Sequence, residues 1–161
     1  MLKVAQLTPS ELLKLHAEVA EELRERGISR SSNNPTGDLA EYLFCKAFSW
    51  AQAGNSNANV DAIGKDGRRY QIKGRRMTRH RGSRQMSALR DLAGGHFDFL
   101  AGILFAEDYS VLRGAIIPRA LVLERATFVQ RTNSHRFMLR DDIWDAPDVL
   151  NVTSELCAVD L

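Results

Sequence analysis

Cysteine is scarce in this chain. Cys45 and Cys157 are the only two, and neither has another Cys or a His beside it at metal-ligand spacing. That argues against a zinc site and against a disulfide scaffold. Cys45 falls in an apolar helical stretch, the usual setting of a small buried hydrophobe. Long hydrophobic runs are missing too, so no segment is long enough to span a bilayer. The opening MLKVAQLTPSELLK lacks a secretory pattern, and a reducing, cytoplasmic setting is the expectation. One-sided charge is also absent. The formal net charge is +2 and the pI about 8.7, so any nucleic-acid partner has to be recognised from where the charges lie. Repeats, linkers and low-complexity tracts are lacking as well.

What remains is an ordinary folded composition, 44% hydrophobic and 26% charged, in 161 residues. That length suits a single domain, residues 1–161, with a real core. TPSELLKLHAEVAEELRERG predicts a helix with a Thr8–Glu11 capping box and Pro9 in its first turn. Leu12, Leu15, Val19 and Leu23 form its apolar face, and Gly27 ends it. After the polar loop ISRSSNNP, a second helix starts near Thr36. Leu39, Leu43, Ala47 and Trp50 line one face of it, and Gly54 stops it. Asp38 and Glu41 fall near its positive end. HFDFLAGILFA has the continuous apolar character of a strand buried on both faces, and VLRGAIIP is its partner. Pro118 opens a short helix, and HRFMLRDDIWD is a late strand. Weak helix is expected from Met86 to Leu92. The order predicts an α/β fold.

Between the second helix and these strands lies VDAIGKDGRRYQIKGRR. Two hairpin registers compete there. A two-residue turn on Asp66-Gly67 mixes polar and apolar side chains on both faces. A three-residue turn on Lys65-Asp66-Gly67, with Gly67 left-handed, pairs Ala62 with Tyr70, Val60 with Ile72, Asp61 with Gln71 and Asn59 with Lys73. It separates an apolar face from a polar one, and the hydrophobic pattern selects it. Asp61, Gln71 and Lys73 then share one face. The plain alternative is a solvated polar face with a loose Asp–Lys attraction.

An acid on one strand, a turn, then acid-or-amide, any residue, lysine resembles the PD-(D/E)XK nuclease superfamily, the restriction-endonuclease-like fold. The motif here is V-D, a spacer, then Q-I-K. Gln71 stands where the family usually has Glu or Asp, and Val60 where it has proline. The resemblance implies a mixed central sheet of about four to five strands flanked by helices. It implies a metal-dependent endonuclease that hydrolyses DNA phosphodiester bonds, in restriction, repair or defence. Mg²⁺ or Mn²⁺ would be held by Asp61, Gln71, the Ile72 backbone carbonyl and Glu41 of the preceding helix, with Lys73 beside the attacking water. Glu41 equally suits the helix dipole. The basic stretch that follows, with Arg75, Arg76, Arg79, Arg81 and Arg84, is the expected phosphate-contacting surface, since it directly follows Lys73; a solvated loop is the plain alternative. His80, within it, has the look of an incidental residue, and Asp98 that of a strand-end residue. A catalytically inactive nucleic-acid-binding module of the same fold is the alternative, and the resemblance also admits a homodimer.

Overall fold

The computed structural model describes residues 2–54 and 59–161. Its centre is a mixed six-stranded sheet in the order β1-β2-β3-β4-β5-β8, where β1 is Ala51–Gln52, β2 Ala62–Ile63, β3 Arg69–Arg76, β4 Phe99–Phe105, β5 Val111–Pro118 and β8 Leu150–Asn151. Only the β3–β4 pair is parallel. The other pairs are antiparallel. The sheet has more strands than the four to five expected. The additions, β1 and β8, are two-residue edge strands, too short to leave a periodic signal.

Helix α1 (Pro9–Glu25) carries the expected capping box, with Thr8 and Glu11 hydrogen-bonded in both directions. Its apolar stripe does not join the core. No residue of α1 is buried, and Leu12 and Val19 are 37% and 50% exposed. Periodicity shows that a helix has an apolar side, and it is silent on what covers that side.

Helix α2 (Thr36–Phe48) ends earlier than expected, at Ser49, which adopts a left-handed conformation. Trp50 therefore leaves the helix and stacks on Tyr70 of β3 with ring centroids 3.6 Å apart. Burial of this aromatic pair outweighed continuation of the helix.

Leu39, Ala40, Leu43 and Phe44 of α2 pack on Tyr70, Ile72, Ile103 and Phe105. Full burial of side chains such as Leu43 and Phe44 stabilises the layer by about 1.5–3 kcal/mol each. The short α4 (Thr153–Cys157) adds Leu156 to the same face. The opposite face is covered by Met86, Leu89, Leu92, Phe137, Leu139 and Ile143, with Val122 from α3 (Arg119–Arg125).

Two expectations for this second layer need correction. Met86 to Arg90 is irregular rather than helical, tied by isolated bridges Gln85↔Met138 and Leu89↔His135, and Leu92 opens a single 3-10 turn, Leu92–Gly94. The late strand is β7 (Ser134–Arg136), and it pairs with β6 (Thr127–Val129) in a separate two-stranded sheet. Both segments trade local preference for pairing with segments distant in sequence, which one-dimensional patterns do not register.

One contact fixes the spacing of α2 over the sheet. Gly74 of β3 faces the helix, and a Cβ there would lie 3.0 Å from Ala40 Cβ, 3.1 Å from the Thr36 carbonyl oxygen and 3.3 Å from the Phe105 ring. Two of these neighbours belong to the helix, so it has to back away if a methyl is added. Gly74→Ala should therefore cost about 1–3 kcal/mol as an overpacking substitution, lowering Tm by about 2–4 °C per kcal/mol. Thermal unfolding followed by circular dichroism measures it.

Candidate functional site

The hairpin adopts the three-residue turn. Ala62 pairs with Tyr70 and Ile63 with Arg69. Gly64 N–H donates to the Arg68 carbonyl, and Gly67 has φ +80°, the left-handed position that glycine occupies without strain. The pairing stops sooner than expected. At Asp61 the backbone steps out of register, its N–H donating to the Tyr70 carbonyl, 2.9 Å. The Asp61 carboxylate then takes the place of a backbone partner and accepts the Ile72 N–H at 2.7 Å. The Asp61–Gln71, Val60–Ile72 and Asn59–Lys73 pairs of the expected ladder do not form.

This early end creates an opening. β3 runs on to Arg76, while β2 has already left it. The N–H and C=O of one strand residue point to the same edge. The Ile72 carbonyl therefore faces the edge where Asp61 sits, and among the described residues no donor reaches it. The parity of β3 sends Gln71, Lys73 and Arg75 to the face away from α2, and Tyr70, Ile72 and Gly74 toward it. Glu41 approaches from α2, Lys73 from the sheet and Asp61 from the open edge. The three are electrostatic neighbours. Burial raises the Asp61 carboxyl above its ordinary range, against the Ile72 N–H and the nearby charges of Lys73 and Arg30. Burial also raises Glu41, with the Asp61 charge adding to it, opposed by Gln52 and Arg30. The Lys73 amine is pushed down by burial, with the charges of Asp61 and Glu41 opposing. Two carboxylates and one amine, each partly stripped of water, thus feel one another's charge across the open edge of the sheet. Among the described residues, no hydrogen bond or ion pair joins Lys73 directly to either acid.

Gln71 is 4% exposed, and its Oε1 is buried without a hydrogen-bond partner. Such an atom costs about 1–3 kcal/mol when nothing satisfies it. No group of three His, Cys, Asp or Glu side chains gathers at metal-ligand distance among the described residues. A cation here would rely on Asp61 and Glu41, completed by amide and backbone oxygens. The orphaned Gln71 Oε1, the open Ile72 carbonyl and two carboxylates held above their ordinary pKa range fit a hard divalent cation, which prefers oxygen and relieves anionic crowding.

Sequence reasoning missed Arg30. Its guanidinium lies 2.5 Å from Glu41 Oε2, and Gln52 Nε2 lies 2.9 Å from the same oxygen. Arg30 is held there by Asp38, whose Oδ2 accepts from the backbone N–H groups of Arg30 and Ser31 and from the hydroxyls of Ser29 and Ser31. Burial works against the Asp38 charge, but these donors prevail and hold its pKa low. The loop and α2 meet only in three dimensions, so no spacing could have given this contact. Cys45 is half-buried on the same helix. Burial and the nearby Glu41 push its thiol up to about 11, leaving it protonated and unreactive at neutral pH.

The five downstream arginines separate into two groups. Arg75, Arg76 and Arg81 line a cavity of about 280 Å³ together with Gly74, Thr36 and Asn34. Arg75 donates to the Ser83 carbonyl at 3.0 Å. Arg76 donates to the Glu107 carbonyl at 2.8 Å and lies over the Tyr109 ring. Neither these two nor Arg81 has a carboxylate partner among the described residues. Arg79 instead pairs with Glu107 at 3.6 Å and Arg84 with Asp141 at 2.5 Å. Asp98 binds Arg69 at the other end of β3, a structural pair away from the cluster.

Comparison with protein-family models and with curated proteins finds no match for this chain. No helix among the described residues is long and apolar enough to cross a membrane.

The raised Asp61 pKa has a consequence for stability. Its charged form is disfavoured in the fold relative to the unfolded chain. That cost is absent below the ordinary aspartate pKa of about 3.9 and is fully present above the raised folded value. Asp61→Asn retains an oxygen for the Ile72 N–H. It should therefore unfold at a higher Tm than wild type at pH 7, by a few degrees (about 2–4 °C per kcal/mol relieved). The gap should close as the pH falls below about 3.9. Melting curves across that range test the sign.

Proposed function

We propose that this chain is a metal-dependent nuclease of the restriction-endonuclease-like fold, hydrolysing phosphodiester bonds of DNA. The observation that carries the reading is the open edge where β2 leaves β3, at which Asp61 accepts the Ile72 N–H and shares an electrostatic neighbourhood with Glu41 and Lys73. The fold part is supported by a mixed sheet in which the β2–β3 hairpin continues through parallel β4, with α2 packed across it. Phosphodiester hydrolysis requires charge to be neutralised on the phosphate and a water to be oriented and deprotonated. When bound, Mg²⁺ or Mn²⁺ supplies Lewis acidity toward the phosphate oxygens. Asp61, Glu41, Gln71 Oε1 and the Ile72 carbonyl are the atoms that would hold it.

Lys73 has two tasks open to it. As an ammonium it stabilises negative charge developing on the phosphate. With its pKa pushed down by burial, it also accepts a proton more readily at neutral pH than a solvated lysine does. Arg75, Arg76 and Arg81, free of carboxylates among the described residues, suit neighbouring backbone phosphates through their forked donors. Arg30 balances the Glu41 charge and keeps its side chain pointed into the cluster.

One observation favours the second reading, a nucleic-acid-binding module that does not cut. Glu41 already has Arg30 as a counter-cation, and Gln71 supplies no charge. Under that reading DNA binding persists in EDTA and is indifferent to Lys73→Ala.

Incubation of the purified protein with Mg²⁺ or Mn²⁺ and plasmid, linear or branched DNA decides between them. Nuclease function predicts cleavage abolished by EDTA and lowered about 10²–10⁴-fold by Lys73→Ala, the range for loss of a general acid–base group, with Asp61→Ala at least as damaging. Cleavage that survives both substitutions overturns the site. Lys73→Met, which keeps the aliphatic stem, should lose activity while its Tm at pH 7 is no lower than that of wild type, since burial disfavours the charged amine. A loss of Tm in parallel with activity would give Lys73 a structural role instead.

A further inference from the structure

A second cationic cavity lies in the layer that covers the sheet face away from α2. The strand leading out of β7 alternates strictly there. Phe137 and Leu139 are fully buried, while Arg136, Met138 and Arg140 project to the other side, as a two-residue period requires. Together with Gln85, Arg125 and Ile143 they line a cavity of about 470 Å³, within the ~300–1,000 Å³ typical of small-ligand sites.

Its charges are out of balance. Three arginines face one carboxylate, Asp142, and that carboxylate is taken by Arg125 at 2.8 Å. Arg136 and Arg140 have no carboxylate partner among the described residues. Their neighbours do find acids: Arg84 and Arg113 share Asp141. Two guanidinium groups are therefore left facing an open cavity. The rest of the lining is mixed. Met138 and Ile143 make an apolar floor, and Thr127, which is cross-strand from Arg136, brings a hydroxyl to the rim.

We propose that this groove binds a phosphate ester. The guanidinium forks of Arg136 and Arg140 would take phosphate oxygens in paired hydrogen bonds, and the floor would take the flat face of a base, where the polarisable Met138 suits it. The chain turns between the two arginines, where Arg140 N–H donates to the Met138 carbonyl at 3.0 Å, and both guanidinium groups line the same cavity. Identifying the ligand as a nucleic-acid strand rests on the nuclease reading; the groove itself does not.

Fluorescence anisotropy of a labelled single-stranded DNA 12-mer, titrated in EDTA at several NaCl concentrations, tests the assignment. Arg136→Ala/Arg140→Ala should weaken binding about tenfold at low salt and reduce the slope of log K against log salt by about 1.4, from roughly 0.7 per phosphate contact on a single strand. Arg24→Ala/Arg26→Ala at the C-terminal end of α1 removes the same charge elsewhere and should leave the slope unchanged. NMR titrations with adenosine 5′-monophosphate and with inorganic phosphate separate the sources. Shifts at residues 136–140 from the oligonucleotide support a strand-binding groove. Shifts there from the mononucleotide, with an unaltered oligonucleotide slope, support the same chemistry serving a free nucleotide. An unaltered slope together with no shift from any of the three probes overturns the proposal. If wild type cleaves DNA, Asp61→Ala does not, the groove variant binds like wild type and no probe shifts residues 136–140, then the groove fails while the nuclease reading stands. Groove-dependent binding without any cleavage by wild type upholds the groove and removes the nuclease reading.

Discussion

The close approach of α2 to β3 is the contact on which the rest of the structure depends. It exists because Gly74 has no side chain at the point where Ala40 and the Thr36 carbonyl press against the strand. That spacing lets the apolar face of α2 close over Tyr70 and Ile72. It also sets how far Glu41 reaches toward Asp61 and Lys73. A core contact and a polar cluster thus share one geometric origin, and a change in the first has to be felt in the second.

The polar cluster runs against the stability of the fold around it. Burial raises both carboxylates and lowers the lysine. All three would be better solvated in the unfolded chain. Gln71 adds an unsatisfied amide oxygen. A protein under selection for stability alone would replace such groups with hydrocarbon. Their arrangement along one open edge of the sheet is what the proposed site rests on. The cationic side chains follow a complementary arrangement. Among the described residues, Arg75, Arg76 and Arg81, which have no acid partner, line one cavity beside the end of β3, and Arg136 and Arg140 line another beside β7, while Arg90, Arg119 and Arg131 lie in neither. In a chain whose net charge is only +2, this segregation carries information that the total does not.

Much of the hairpin was legible in the residues themselves. The hydrophobic alternation of VDAIGKDGRRYQIK and the position of Gly67 selected one register, and Ala62↔Tyr70 follows it. The same pattern could not show that the ladder breaks at Asp61, because the break depends on the carboxylate replacing a backbone acceptor for Ile72. Helix α2 was visible, yet its end at Ser49 was not. The stacking of Trp50 on Tyr70 joins residues that no local propensity links. Glu41 could be named from its place before the hairpin. Its partner Arg30 could not, since the loop that carries Arg30 is folded back by four hydrogen bonds to Asp38.

The amino-acid sequence alone determined the local elements: the capped α1, the buried strands β4 and β5, the turn at Gly67 and the run of arginines after Lys73. Each rests on interactions among near neighbours in the chain, and such interactions leave a periodic or positional signature. Tertiary structure alone decided which acid meets which cation, which arginines stay unpaired, and that the apolar stripe of α1 remains uncovered. Those outcomes turn on the packing of segments far apart in sequence, where burial changes the worth of every charge it touches.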